Sequence, residues 1–264
     1  MSKVVPSKES RRKIGLALGG GSVRSFAHIG VLQILESEKI PIDFISGTSS
    51  GSLIAAIYAD KQDMRKFNLV SFKVNWRQFT ALKLTRHGFI SSLSIENFVK
   101  KIVPHDRFQD LAIPLAVTAT DLVTSEGVIL TDGSLSLAVR MSCSFPGVYI
   151  PVESALGMMA DGGLVNNVPV EPLRALGADI VIGVDVIPTG VLSNRPHNIF
   201  SIADRAIDVM LKHQTRAKAS LIDVLIEPVQ ECISSFDMKR KKDLISMGRE
   251  ATIRALPRIR ELMG

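Results

Sequence analysis

The chain has 264 residues, of which 46% are apolar and 22% charged. That composition excludes a disordered, collagen-like or disulfide-scaffold polypeptide and leaves room for one large α/β domain or two small ones. Lys and Arg number 32 against 26 Asp and Glu, a formal charge of +6. The two cysteines, Cys143 and Cys232, lie far apart with no second thiol at ligand spacing, which fits a reducing compartment and excludes a structural zinc site.

Residues 1–12 are polar and basic with no apolar run, so they read as a flexible N-terminus rather than a secretory leader. No window approaches the roughly 18–20 apolar residues that a spanning helix needs. A cytoplasmic protein, with peripheral membrane contact at most, is therefore expected. Lys13–Leu18 reads as a short buried strand ending in Gly19-Gly20-Gly21, and a helical period follows from Phe26 to about Glu38. Ile42–Ser46 is a second strand, Gly47–Gly51 a turn, and Leu53–Ala59 an apolar helix. This alternation predicts an α/β fold with a mostly parallel sheet, helices on both faces and right-handed crossovers. Further strands are expected at Leu115–Ala119, Gly127–Thr131, Asp179–Asp185 and Asp223–Ile226. Helices are expected at Leu135–Ser142, Glu171–Leu176, Phe200–Lys212 and Lys239–Leu262, the last kinked or divided at Pro257. Nothing in composition cuts the chain, so residues 13–264 read as one domain, with core motifs in 13–187 and a helical part in 198–264.

Gly47-Thr48-Ser49-Ser50-Gly51 has the G-x-S-x-G form and sits between a predicted strand and a predicted helix. That context is the one a nucleophile elbow requires: glycines allow the sharp turn, and the helix N-terminus favours negative charge beside Ser49. The competing reading is a Ser/Gly turn in which Ser49 only caps the helix. The loop Gly19-Gly20-Gly21-Ser22-Val23-Arg24 can supply backbone N–H groups to an oxyanion. A phosphate loop fails for want of the Lys-Ser/Thr pair, and a dinucleotide fingerprint has Arg24 where its third glycine belongs. Asp161-Gly162-Gly163 offers a carboxylate at a glycine turn, either an ordinary turn aspartate or a partner for Ser49. Of the histidines, His197 and His213 follow Asp161 and would give the chain order of a hydrolase triad, but both sit in polar surroundings typical of solvated side chains.

Together these residues resemble the patatin-like phospholipase family. Gly15–Leu18, Gly19–Gly21, Arg24 and Ala27–Leu32 match its opening block; Gly47–Gly51 matches its serine elbow, with elbow glycines Gly47 and Gly51. Arg140–Gly147 with Pro151 is similar to the segment before its Asp-Gly-Gly box, and Asp161, Gly162 and Gly163 match the box. The resemblance implies a three-layer α/β/α domain and lipid acyl hydrolysis by a Ser–Asp dyad, with no catalytic histidine, cofactor or metal. Ser49 would be the nucleophile, Asp161 the proton acceptor, and Gly19, Gly20, Gly21, Ser22 and Arg24 the oxyanion loop. The family has glycine after the loop arginine and often two residues before it, where this chain has Ser25 and Ser22; a left-handed Ser25 would strain the loop and lower activity. A triad carboxylesterase or thioesterase for small acyl groups, and a non-catalytic nucleotide- or lipid-binding module, are the alternatives.

From Met64 to Ile95 there is no acidic residue, while Arg65, Lys66, Lys73, Arg77, Lys83 and Arg86 alternate with Phe67, Phe72, Trp76, Phe79 and Phe89. Residues 64–95 are therefore expected to meet an anionic membrane, the competing reading being inward-packed aromatics under a solvated basic rim. Nucleic acid is not an expected partner, because the basic run Lys239–Lys242 is relieved by Asp243 and Glu250 on its own helix.

Overall fold

The computed structural model describes residues 11–61, 67, 90–191 and 195–264. Its centre is β1 (Ile14–Leu18), a five-residue run buried along its whole length, as a strand covered on both faces requires. Parallel neighbours lie on either side, β2 (Phe44–Thr48) and β7 (Ile180–Val184). β3 (Leu115–Asp121) extends the parallel set beyond β2, and β8 (Val224–Ile226) extends it beyond β7. The expected parallel sheet is thus present at its core. It carries an antiparallel group at one side: β4 (Gly127–Leu130), β5 (Val152–Ser154) and β6 (Gly157–Asp161). Residues 152–161 form a hairpin that the three apolar residues Met158–Ala160 alone do not announce.

Register decides where the strand ends meet. Thr118 of β3 pairs with Thr48 on one edge and Ile129 on the other, while Ala119 pairs with Val128 and Asp161. Since β4 occupies one edge at both of these positions, β2 and β6 share the opposite edge, end to end. Thr48 and Asp161 therefore face consecutive residues of β3, and Ser49 follows directly.

Seven helices surround the sheet: α1 (Phe26–Ser37), α2 (Ser50–Lys61), α3 (Leu93–Ile102), α4 (Leu135–Ser142), α5 (Glu171–Ala175), α6 (Ile199–Ala217) and α7 (Lys241–Met263), counted among the described residues. Alternation along β1 divides the core in two. Ile14, Leu16 and Leu18 join the larger cluster with residues of α1, α2, α4 and α7. Ala17 joins a smaller one with Val168, Val170, Leu173 and Ala178. α3 fell between the expected elements, although Ile95, Val99 and Ile102 keep a helical period. α7 runs unbroken through Pro257 rather than dividing there; that residue is exposed, so the carbonyl it leaves without a donor can take water. Arg11 pairs with Asp43 at 2.6 Å and Arg12 donates to Leu262 O at 2.8 Å, so the last two residues of the basic N-terminus are fastened to the fold.

Most of 64–95, the expected membrane-facing stretch, lies outside the described residues. Phe67 is described and is fully buried, its ring centroid 6.5 Å from that of Tyr58 on α2. Ile95, at the other end, is buried in the main core. Among the described residues no helix is long and apolar enough to cross a membrane.

α1 and α7 cross at backbone contact. A Cβ on Gly30 would stand 2.0 Å from Ile245 O, and one on Gly248 would stand 2.0 Å from Ala27 O. Neither backbone atom can yield without separating the helices, so Gly248→Ala should destabilise the protein by about 3 kcal/mol. Urea unfolding would register this as a lowered midpoint; an unchanged midpoint would mean the two helices part freely.

Candidate active site

The elbow forms where β2 stops and α2 starts. Ser49 lies between them with φ +53°, a left-handed conformation costing about 1 kcal/mol or more outside glycine. It is held by its neighbours: its N–H donates to Ser142 Oγ at 2.8 Å, and its carbonyl accepts from Ser52 Oγ at 2.6 Å and Ser52 N at 2.9 Å. Gly51 permits the turn by close approach, since a Cβ there would meet Leu18 O at 2.3 Å.

Across the β2–β6 junction, Ser49 Oγ donates to Asp161 Oδ2 at 2.6 Å. The other carboxylate oxygen accepts from Gly163 N at 2.8 Å. The Asp161 backbone is fixed as well, its N–H on Ser144 O at 3.1 Å and its carbonyl under Thr120 Oγ1 at 2.9 Å. Asp161 is 1% exposed. Burial lifts its pKa from 3.8 to about 7, against the opposing pull of the hydrogen bonds from Ser49 and Gly163. The carboxyl therefore exchanges its proton near neutral pH.

The glycine loop passes directly over the serine: a Cβ on Gly20 would lie 2.9 Å from Ser49 Cβ. Its members divide by role. Gly19 donates to Val184 O at 3.0 Å and receives His28 Nε2 on its carbonyl at 2.8 Å. Complete burial lowers the His28 pKa to about 4, so the ring is neutral and its single proton is the one donated to Gly19. Gly20 N donates to Asn167 Oδ1 at 3.1 Å and Gly21 N to Ser50 Oγ at 3.2 Å. Ser22 opens the short 3-10 turn Ser22–Ser25, where the first N–H groups have no partner within the turn. Gly20, Gly21 and Ser22 line the cavity beside Ser49, whereas Gly19 and Arg24 stand behind it.

Arg24 is fully buried, with Nη1 on Asp208 at 2.6 Å and Nη2 on Asp204 at 3.5 Å and on Ser235 Oγ. The guanidinium faces α6 rather than Ser49 and Asp161. Ser25 adopts an ordinary right-handed φ of −64°, so the strain expected there is absent. It falls on Ser22, whose φ is +55°.

Behind the box, Gln214 Nε2 donates to Gly163 O and Leu164 O at 3.0 Å each, and its Oε1 accepts from Asn167 N at 3.0 Å. Gly162 lies against β3, where a Cβ would stand 2.2 Å from Thr118 O. His197 and His213 are exposed, and neither contacts Asp161, whose oxygens are taken by Ser49 and Gly163. Ser142, Asn167, Gln214 and Asp208 went unrecognised in the sequence. Ser142 lies in the matched Arg140–Gly147 segment and Asn167 in the Asn166-Asn167 pair after the box, but neither pattern names a contact with Ser49 or Gly20.

A cavity of about 690 Å³ opens beside Ser49 and Asp161. Leu53, Ile54, Phe145 and Val148 form one wall, and Ile187, Ile207 and Leu211 another. Volume and lining suit a ligand with a long apolar portion.

The family model for patatin-like phospholipase matches residues 16–174. Lysophospholipase NTE1 of Yarrowia lipolytica is 34% identical over 186 residues, 67% of this chain and 13% of that protein. A patatin-like phospholipase domain-containing protein of Caenorhabditis elegans is 36% identical over 183 residues, covering 66% and 13%. An NTE family protein of Mycobacterium tuberculosis is 32% identical over 182 residues, covering 67% and 50%. The chain thus spans half or less of the length of these curated relatives. In fold it is similar to VipD from Legionella pneumophila, with a TM-score of 0.64, 12% identity, and coverage of 94% of this chain and 67% of that one. ExoU of Pseudomonas aeruginosa, in complex with SpcU, gives a TM-score of 0.52 at 15% identity, covering 96% and 53%.

Because the Asp161 carboxyl favours its neutral form in the fold, it contributes stability at low pH that is lost as pH rises from about 4 to about 7. Asp161→Asn should therefore unfold at a higher temperature than wild type at pH 8, by about 2–4 kcal/mol of stability. That gain should shrink towards zero by pH 4. Calorimetry across this range tests it; a gain independent of pH would place the effect elsewhere.

Proposed function

This chain belongs to the patatin-like phospholipase family, and on that premise we propose that it is a lipid acyl hydrolase working through Ser49 and Asp161. Support for the dyad comes from one observation above all, the 2.6 Å hydrogen bond from Ser49 Oγ to a buried carboxylate at the wall of an apolar cavity. The NTE1 relatives are called lysophospholipases, and the cavity accommodates an acyl chain. Acyl esters of glycerophospholipids or lysophospholipids are accordingly the proposed substrates.

Ser49 Oγ attacks the acyl carbonyl while its proton passes to Asp161 Oδ2. The carbonyl oxygen becomes an oxyanion beside the glycine loop and the N-terminus of α2, where the Ser22 N–H and the helix dipole stabilise it, the Gly20 and Gly21 N–H groups being held by Asn167 and Ser50. Collapse expels the alcohol, which takes the proton from Asp161, and leaves the acyl group on Ser49. Water then attacks this ester, gives a proton to Asp161, and releases the fatty acid as the proton returns to Ser49. The pKa near 7 lets one carboxyl both accept and return the proton at neutral pH.

Three measurements follow from this chemistry. With a long-chain ester, Ser49→Ala should abolish turnover and Asp161→Asn should lower kcat by about 10²–10⁴-fold. His197→Ala and His213→Ala should each leave turnover unchanged; a large loss in either would restore a triad. For wild type, kcat/KM should rise with pH through about 7 and then level off, because the carboxylate is the competent form. A profile falling through that range would assign Asp161 another role.

A further inference from the structure

α6 has two faces of different kinds. Its inner face closes the cavity with Ile207 and Leu211 and turns both of its carboxylates, Asp204 and Asp208, onto the buried Arg24. Its outer face is apolar and uncovered: Ile199 is 75% exposed, Ile202 53%, Val209 46% and Met210 39%. Ala203 and Ala206 complete the stripe, and both are exposed. The spacing, 199, 202, 203, 206, 209, 210, is that of one helical face. Ala203 also lines the cavity, so the stripe reaches the rim of the site.

The helix's cations are arranged around this stripe. Arg205 and Arg216, three turns apart, share one flank of it, while Lys212 between them reaches back to donate to Pro188 O at 3.4 Å. With both carboxylates directed inward, the outer face and its flank carry positive charge only. An amphipathic helix of this kind lies in a membrane interface with its apolar side chains among the headgroups and its cations on lipid phosphates. A second copy of the chain is a poor occupant by comparison. The stripe from 199 to 210 is about 16 Å long and about 10 Å wide, far short of the roughly 800 Å² a side that a stable dimer buries.

We propose that the outer face of α6 is the surface by which the protein docks on anionic phospholipid bilayers, bringing the rim of the cavity to the headgroups. The proposal rests on the lipid-hydrolase reading for its purpose, but the surface can be tested apart from catalysis.

The experiment is flotation with vesicles of phosphatidylcholine, with and without phosphatidylglycerol, beside hydrolysis of a soluble short-chain ester. Wild type should float with the anionic vesicles, and Ile202→Asp/Val209→Asp should not. Arg205→Gln/Arg216→Gln should partition about thirtyfold more weakly onto anionic vesicles, at about fivefold for each cation removed. Both variants should hydrolyse the soluble ester as wild type does, which shows that they fold. Should the aspartate variant fail to fold, the charge variant and the loss of wild-type binding at high salt decide instead. Wild type that stays with the non-floating fraction overturns the proposal. So does an aspartate variant that floats normally, or a wild-type dimer in sedimentation that the aspartates split into monomers without any vesicle binding. Flotation without soluble-ester hydrolysis would instead strike the hydrolase reading and leave the docking surface standing.

Discussion

A carboxyl group taken out of water and set against one hydroxyl is the constraint on which the site depends. Its geometry comes from sheet register: β2 and β6 run into each other along one edge of β3, and the residues at the junction are Ser49 and Asp161. Its energetics come from burial, which makes the charged form costly enough to raise the pKa to about 7. One arrangement therefore sets both the separation of the two oxygens and the pH at which the carboxyl exchanges its proton, the two properties that the proposed dyad needs. The fold bears the cost, holding Ser49 in a left-handed conformation and a near-neutral acid in its interior.

Around this pair the supporting contacts link elements far apart in the chain. His28 holds Gly19, Asn167 holds Gly20, and Gln214 holds the strand end that follows Asp161. Arg24 ties the glycine loop to Asp208 on α6, so the helix with the apolar outer face is joined to the loop over Ser49 by a buried ion pair. Removing Arg24 would leave Asp208 buried without its cation, far more damaging than losing an exposed pair, whereas Arg24 without Asp208 would still face Asp204 at 3.5 Å. The close crossing of α1 and α7 fixes the other end of the same loop, because α1 continues directly from its 3-10 turn.

Much of this was legible in the sequence, for identifiable reasons. β1 and β2 are compact apolar runs followed by glycine-rich turns and apolar helices, so strand, turn and helix could be placed, and Ser49 with them. Asp161 could not be chosen from spacing, since 112 residues separate it from Ser49; the resemblance to a known family supplied it. β6 was hidden because its apolar run is only three residues long, and α3 because it follows a basic aromatic stretch that drew a different reading. The contacts of Arg24 with Asp208 and of Gln214 with the box span 184 and 51 residues, and no local pattern encodes them. Ser25 shows the opposite limit: its residue type raised an expectation of strain that the backbone places at Ser22.

The most direct test of the dyad is covalent. Wild-type protein treated with a long-chain alkyl fluorophosphonate should gain one adduct, located by peptide mapping on Ser49, and Asp161→Asn should react at least about a hundredfold more slowly. An adduct on another residue, or an Asp161→Asn protein labelled at the wild-type rate, would contradict the account.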